Sequence, residues 1–254
     1  MIQVKDLHKS FNDQEVLKGI SYSFERGKTN LIIGQSGSGK SVFLKCMLGL
    51  FKADKGTIEY DGKPYSSFSD EEQRELRTEI GMLFQGGALF DSMTVEENVM
   101  FPLKMFTRQR KKEMLTRVHE VLERVNLDGN GSKMPSEISG GMQKRVAIAR
   151  AIVNKPKYLF CDEPNSGLDP QTATVIDNLI QEITHENDIT TVLITHDMNS
   201  VLEIGERIAF LKDGKLAWKG TKDEIFKTED ETVVDFVYSS NLFQKVREAQ
   251  LKGI

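Results

Sequence analysis

From residue 158 to residue 220 the apolar and polar positions follow two alternating rhythms. "YLFC" and "TTVLIT" are short apolar runs of the length of a strand buried on both faces, and a stretch long enough for a helix follows each, at 170–186 and 197–204. "RIAFLKDGKLAW" closes the series with two apolar runs around an Asp-Gly turn. Strand and helix alternating in this way predict a mostly parallel sheet with crossover helices. The first third reads differently. "ISYSF" (20–24) alternates like a half-buried strand, "TNLIIG" (29–34) is an apolar run that stops at glycine, and "TIEYDGKPY" (57–65) holds a second Asp-Gly turn. In "KKEMLTRVHEVLERVNL" (111–127), Leu115, Val118, Val121, Leu122 and Val125 recur every three or four residues, which predicts an amphipathic helix. The expected organisation is one domain over 1–254. An α/β core, 1–85 and 155–230, is interrupted by a helical insert, 86–154, and followed by a C-terminal extension, 231–254.

Composition narrows the class. A chain of 254 residues can bury a sizeable core. Its 38 acidic residues outnumber 34 basic ones, and a net charge of −4 argues against a dedicated nucleic-acid binder. No apolar run approaches the roughly 18 residues of a membrane span. The opening "MIQVKDLHKSF" is broken by charge and has no signal-peptide core. The chain is therefore expected to stay in the cytoplasm and to reach a membrane only through a partner. Cys46 and Cys161 each lie in an apolar run and read as small buried hydrophobes, not a redox pair. His8, His119 and His185 have no metal-ligand spacing with them and read as surface or packing residues.

Candidate chemistry concentrates in three places. "GQSGSGKS", Gly34, Gln35, Ser36, Gly37, Ser38, Gly39, Lys40 and Ser41, matches the G-x-x-x-x-G-K-[ST] phosphate loop at every fixed position, between an apolar strand and the helical run "SVFLKCMLGL", whose Val42 is counted with the loop as nucleotide-binding. Its glycines let backbone N–H groups close around phosphates, Lys40 reaches the terminal phosphates, and Ser41 is a Mg²⁺ ligand. "YLFCDE" ends an apolar strand in two acids: Asp162 is placed for Mg²⁺, and Glu163 for polarising a water. The third is "EISGGMQKRVAIARA" (137–151), a second helix start with small residues suited to an anion. One nucleotide cannot occupy both helix starts of one chain, so the economical solution is that a second copy supplies "SGG" to the first copy's ATP.

"ISGGM" followed by "QKRVAIARAI" resembles the LSGGQ signature of ATP-binding-cassette (ABC) ATPases, and the resemblance covers nearly the whole chain. Gln85 in "GMLFQ" resembles the family's Q-loop, "SGLD" (166–169) its D-loop and His196 in "LITHD" its switch histidine. The resemblance implies a P-loop NTPase (RecA-like) core with an N-terminal antiparallel β subdomain and an inserted α-helical subdomain. It also implies a head-to-tail dimer with two ATP molecules at the interface. In that dimer Ser139, Gly140 and Gly141 cap the γ-phosphate held by the other subunit, Asp169 borders the nucleotide, Gln85 adds a ligand to Mg²⁺, and Phe11 stacks on adenine. Met142 departs from the signature's final Gln. With "FQGGALFDSMTVEENVMFPL" (84–103) it is similar to the ATPase subunit of lipid transporters of the maintenance-of-lipid-asymmetry (Mla) type. Implied partners are an integral-membrane permease, docking near 86–106, and an Mce-domain protein; the implied location is the cytoplasmic face of the inner membrane. An importer of another small solute and a soluble ABC ATPase acting on a protein machine share the same ATP chemistry and stay open. So does the extension, whose Val234, Val237, Leu242, Phe243, Val246 and Leu251 suit packing on its own core or on the second copy.

Overall fold

A computed structural model describes residues 1–12 and 14–238. The strands are β1 (Ile2–Phe11), β2 (Gln14–Phe24), β3 (Thr29–Ile33), β4 (Lys55–Tyr60), β5 (Lys63–Pro64), β6 (Ile80–Leu83), β7 (Tyr158–Asp162), β8 (Thr190–Thr195), β9 (Arg207–Lys212) and β10 (Lys215–Gly220). The α-helices are α1 (Lys40–Met47), α2 (Asp70–Thr78), α3 (Val95–Phe106), α4 (Lys111–Arg124), α5 (Gly140–Ile152), α6 (Pro170–Glu186), α7 (Met198–Ile204), α8 (Lys222–Ile225) and α9 (Glu231–Val237). One sheet is antiparallel with strand order β2-β1-β4-β5, and the other runs β10-β9-β3-β8-β7-β6. In the second, β9, β3, β8, β7 and β6 pair in parallel, and only β10 is antiparallel.

The central strands are buried on both faces, which is why they read as unbroken apolar runs. Their side chains still alternate: Leu31 and Ile33 join the core beneath the helices, while Ile32 joins the core beneath the antiparallel sheet and α1. In β1 the buried positions Ile2, Val4 and Leu7 break the period of two because the register shifts between Val4 and Leu7, where Asp6 takes a φ of 47°. Both predicted Asp-Gly turns are hairpin turns with left-handed residues: φ is 48° and 82° at Asp61-Gly62, and 51° and 78° at Asp213-Gly214.

The insert packs α3 and α4 against α5. The first turn of α3 is closed by a reciprocal pair, Thr94 Oγ1 accepting from Glu97 N and Glu97 Oε2 accepting from Thr94 N. The C-terminal end of α5 abuts the core sheet: a Cβ on Gly81 of β6 would lie 2.3 Å from the carbonyl oxygen of Ala151. The first part of the extension packs on its own core, where Val233, Val234, Val237 and Tyr238 are buried with Phe210 of β9. Leu242, Phe243, Val246 and Leu251 lie outside the described residues. Both cysteines are buried and free, as expected, and burial lifts the Cys46 thiol to about 11.

Candidate nucleotide site

Parallel pairing brings the carboxyl ends of β3, β6, β7 and β8 to one edge of the sheet. Whatever follows each strand is then collected there, the usual place for a ligand in an open α/β sheet. Gly34–Ser41 follows β3, Gln85 follows β6, Asp162 ends β7 with Glu163 next to it, and His196 follows β8. Around them lies a cavity of about 750 Å³, whose wall consists of Gln35, Ser36, Gly37, Gly39, Lys40, Ser41, Val42, Gln85, Asp162, Glu163 and His196, with Val16 and Phe236; Gly34 and Ser38 of the loop are not part of it.

The loop's path requires glycine at two points. Gly34 has φ 149°, and a Cβ there would lie 2.3 Å from the carbonyl oxygen of Leu211; Gly39, φ 101°, turns the chain into α1. Lys40, the first residue of α1, is 8% exposed, and its Nζ donates to the carbonyls of Gly34 at 2.7 Å and Gln35 at 2.9 Å. Burial pulls its pKa down, opposed by the charges of Glu163 and Asp162. The hydroxyl of Ser38 is buried without a hydrogen-bond partner. A helix N-terminus and a buried ammonium in the cavity wall fit a polyphosphate.

The acids fit a divalent cation. Burial pushes the Asp162 carboxyl up, and the neighbouring Glu163 charge pushes it further. One carboxylate with the neutral oxygens of Ser41 and Gln85 in the same wall is a donor set that fits Mg²⁺, an ion whose other ligands come from phosphates and water. Among the described residues no group of three His, Cys, Asp or Glu could hold an ion alone. Glu163 has φ 48°, its N–H donates to Ile194 O at 3.0 Å, and its Oε1 lies 2.8 Å from His196 Nδ1. Its carboxylate is largely shielded while the imidazole is 68% exposed, so His196 sits at the mouth of the cavity and Glu163 within it.

Phe11, Ser139, Gly140, Gly141 and Asp169 lie outside this lining. Ser139 is exposed and caps α5, its Oγ accepting from Met142 N at 3.3 Å. Gly141 lies against α6, where a Cβ would meet Thr172 Cγ2 at 2.7 Å, and Asp169 caps α6 by accepting from Thr172 N at 3.0 Å. The "SGG" start and the 166–169 loop are thus neighbours on a surface apart from the chain's own phosphate loop. Phe11 is half-exposed and packs edge-on against Phe51, with centroids 5.1 Å apart. Sequence reasoning missed Val16 and Phe236. Phe236 reaches the cavity from α9, held by Phe210 at 4.9 Å; its signal was its place in the apolar group Val233, Val234, Phe236 and Val237.

Residues 17–166, more than half of the chain, match the family model described as ABC transporter. The chain is 40% identical over 233 residues, 92% of its length and 67% of the relative's, to the probable ribonucleotide transport ATP-binding protein mkl of Mycobacterium leprae. It spans 65% of the Mycobacterium bovis counterpart. It is 41% identical over 226 residues, 89% of its length and 71% of the relative's, to the methionine import ATP-binding protein MetN of Clostridium tetani. It is 37% identical over 258 residues, 94% of its length and 74% of the relative's, to protein TRIGALACTOSYLDIACYLGLYCEROL 3, chloroplastic, of Arabidopsis thaliana. Among solved structures, CbiO1 of Clostridium perfringens, part of the ABC transporter complex CbiONQ, aligns with a TM-score of 0.83 at 31% identity, covering 100% of this chain and 98% of that one. The dimeric bacterial ABC transporter cassette MJ0796 aligns with a TM-score of 0.79 at 33% identity, covering 87% and 99%. The phosphate loop, the paired acids and the "SGG" helix start thus stand in a chain that belongs to the ABC transporter family, as an ATP-binding cassette of its transport ATPases.

Proposed function

We propose that the chain energises a membrane transporter by hydrolysing ATP in a closed pair of cassettes, each nucleotide held between one copy's phosphate loop and the other's "SGG". The observation that carries this reading is the division of parts. Lys40, Ser41, Gln85, Asp162, Glu163 and His196 converge on one cavity, while Ser139 waits on an exposed helix start elsewhere. Glu163 acts as the base for the attacking water. His196, 2.8 Å away, orients that carboxylate and meets the γ-phosphate at the cavity mouth. Lys40 and the loop amides hold the phosphates, with the ammonium already desolvated. Ser41, Asp162 and Gln85 would hold Mg²⁺, which would neutralise the charge that develops on the phosphates. Phe11 is the adenine platform.

The cargo we assign is lipid, moved across a bacterial envelope with a permease and an Mce-domain protein, the cassette lying peripherally on the cytoplasmic face of the inner membrane. Met142 and the 84–103 segment support this through their likeness to Mla-type ATPases, and one relative carries the name of a galactolipid. No helix among the described residues is long and apolar enough to cross a membrane. The similarity to MetN favours a second reading, an importer of a small solute. Purifying the tagged chain from membranes with its permease, and identifying co-purifying lipids by mass spectrometry, separates the two. A permease that carries phospholipid stoichiometrically supports the first, and one that binds an amino acid supports the second.

A further inference from the structure

The loop after β6 joins the core to the helical insert, and two buried side chains of the insert hold it. Gly86, Gly87 and Ala88 have φ of 77°, 80° and 46°. A backbone on that path makes no ladder, and its carbonyls must find other donors. Arg150, near the end of α5 and 8% exposed, provides them: Nη2 donates to Gly87 O at 2.6 Å and Nη1 to Ala88 O at 2.8 Å. Its guanidinium also lies 6.0 Å from the Phe90 ring centroid. Burial pulls its pKa down, and among the described residues no carboxylate opposes that. Asn98 of α3, fully buried, holds the far end, with Oδ1 accepting from Phe90 N at 2.8 Å and Nδ2 donating to Phe90 O and Met93 O at 3.1 Å each. Gln85 is left between two fixed points, Leu83 in β6 and Gly87 in the Arg150 fork.

Burying a guanidinium against two carbonyls is a costly way to fill space, since an apolar side chain would do it without desolvating a charge. A planar fork does what an apolar side chain cannot: it fixes two successive carbonyls in direction as well as distance. The fork stands on the same 13-residue helix that begins with the exposed Ser139-Gly140. We propose that Arg150 is the positioning residue that makes Gln85 move with the signature helix, so that a nucleotide engaging Ser139 also sets Gln85 at the chain's own site. The inference deepens the shared-site reading above and rests on it. It makes the two sites of a dimer respond as one.

The test uses the full chain with Arg150→Lys, which keeps charge and length but loses the fork, and Arg150→Met. ATPase rate is measured against ATP concentration, and single-chain affinity with a fluorescent ATP analogue at dilution. For Arg150→Lys we expect an affinity within about twofold of wild type, a turnover lower by up to roughly 10²-fold, as for a catalytic group displaced by a remote change, and a Hill coefficient falling from near two, the ceiling for two coupled sites, toward one. Unchanged turnover and cooperativity, with or without a lower melting temperature, would overturn the proposal and leave Arg150 a packing residue. Should both variants fail to fold, hydrogen exchange on the Glu163→Gln chain decides. Peptides spanning 84–90 and 139–150 gain protection at one ATP concentration if the fork couples them, and at separate midpoints if it does not. A Glu163→Gln chain that never pairs with ATP counts against the shared site itself, a result distinct from either.

Discussion

Glu163 and His196 lie 2.8 Å apart with unequal access to water, and the roles assigned to them can be separated from binding. Glu163→Gln keeps the shape and loses the base, so turnover should fall by roughly 10²- to 10⁴-fold while ATP affinity stays near wild type. Near-normal turnover in a single-turnover assay would remove Glu163 from the mechanism. Lys40→Ala should fail earlier, at nucleotide binding, because it removes the one buried ammonium in the cavity wall. Asp177 of α6 makes a different prediction. It is 2% exposed; burial lifts its carboxyl to about 6, and its Oδ1 has no hydrogen-bond partner. A carboxyl with a raised folded pKa binds its proton more tightly in the native state. Its contribution to stability is therefore present below about pH 4 and is lost as pH rises through 6. Asp177→Asn should raise the melting temperature at pH 8, by no more than about 3 kcal/mol of stability for a shift of this size, and the gain should vanish toward pH 4. Melts that differ equally at both pH values would show that the ionised carboxylate is not the cause.

The elements that carry the chemistry were legible because their patterns are local. The apolar runs of β3, β7 and β8 give their own length, the helix at 170–186 begins at Pro170, and the glycine of each Asp-Gly turn has the positive φ that its hairpin needs. What stayed hidden depends on other parts of the chain. β1 is interrupted by charge, and its true period appears only with the register shift after Val4. α2 and α3 had signals of their own in Ser69…Glu72 and Thr94…Glu97, spacings that close a first helical turn. Arg150 and Asn98 look like ordinary helix residues until their carbonyl and amide partners, 62 and 8 residues away, are known. Phe236 reads as core and faces the cavity. The segment 86–106 is expected to dock on the permease. Phe90 is 39% exposed and rests on Phe101 at 4.7 Å, so this pair presents an apolar surface, whereas Leu89 packs inward on the core cluster. Phe90→Ala should therefore weaken permease co-purification more than it weakens ATP binding. A large drop in the melting temperature of the isolated chain would instead mark the ring as core packing.

Within one chain the two proposed halves of the nucleotide site do not meet. The phosphate loop and acids open at the carboxyl edge of the parallel sheet, and Ser139 and Gly140 stand exposed on the insert beside Leu168 and Asp169. Two copies related by a two-fold axis would complete two identical sites, and activity should then rise with protein concentration through the range of dimer formation. The most direct measurement mixes two inactive chains. Ser139→Arg keeps its phosphate loop and blocks its signature, and Lys40→Ala keeps its signature and loses its phosphate loop. Each is expected to be inactive alone. In an equimolar mixture half of the dimers should be mixed, and each mixed dimer holds one site with both halves intact, so ATPase activity should recover to roughly a quarter of wild type if the sites work independently, and to less if they are coupled. A mixture no more active than the sum of its two components would contradict the shared site.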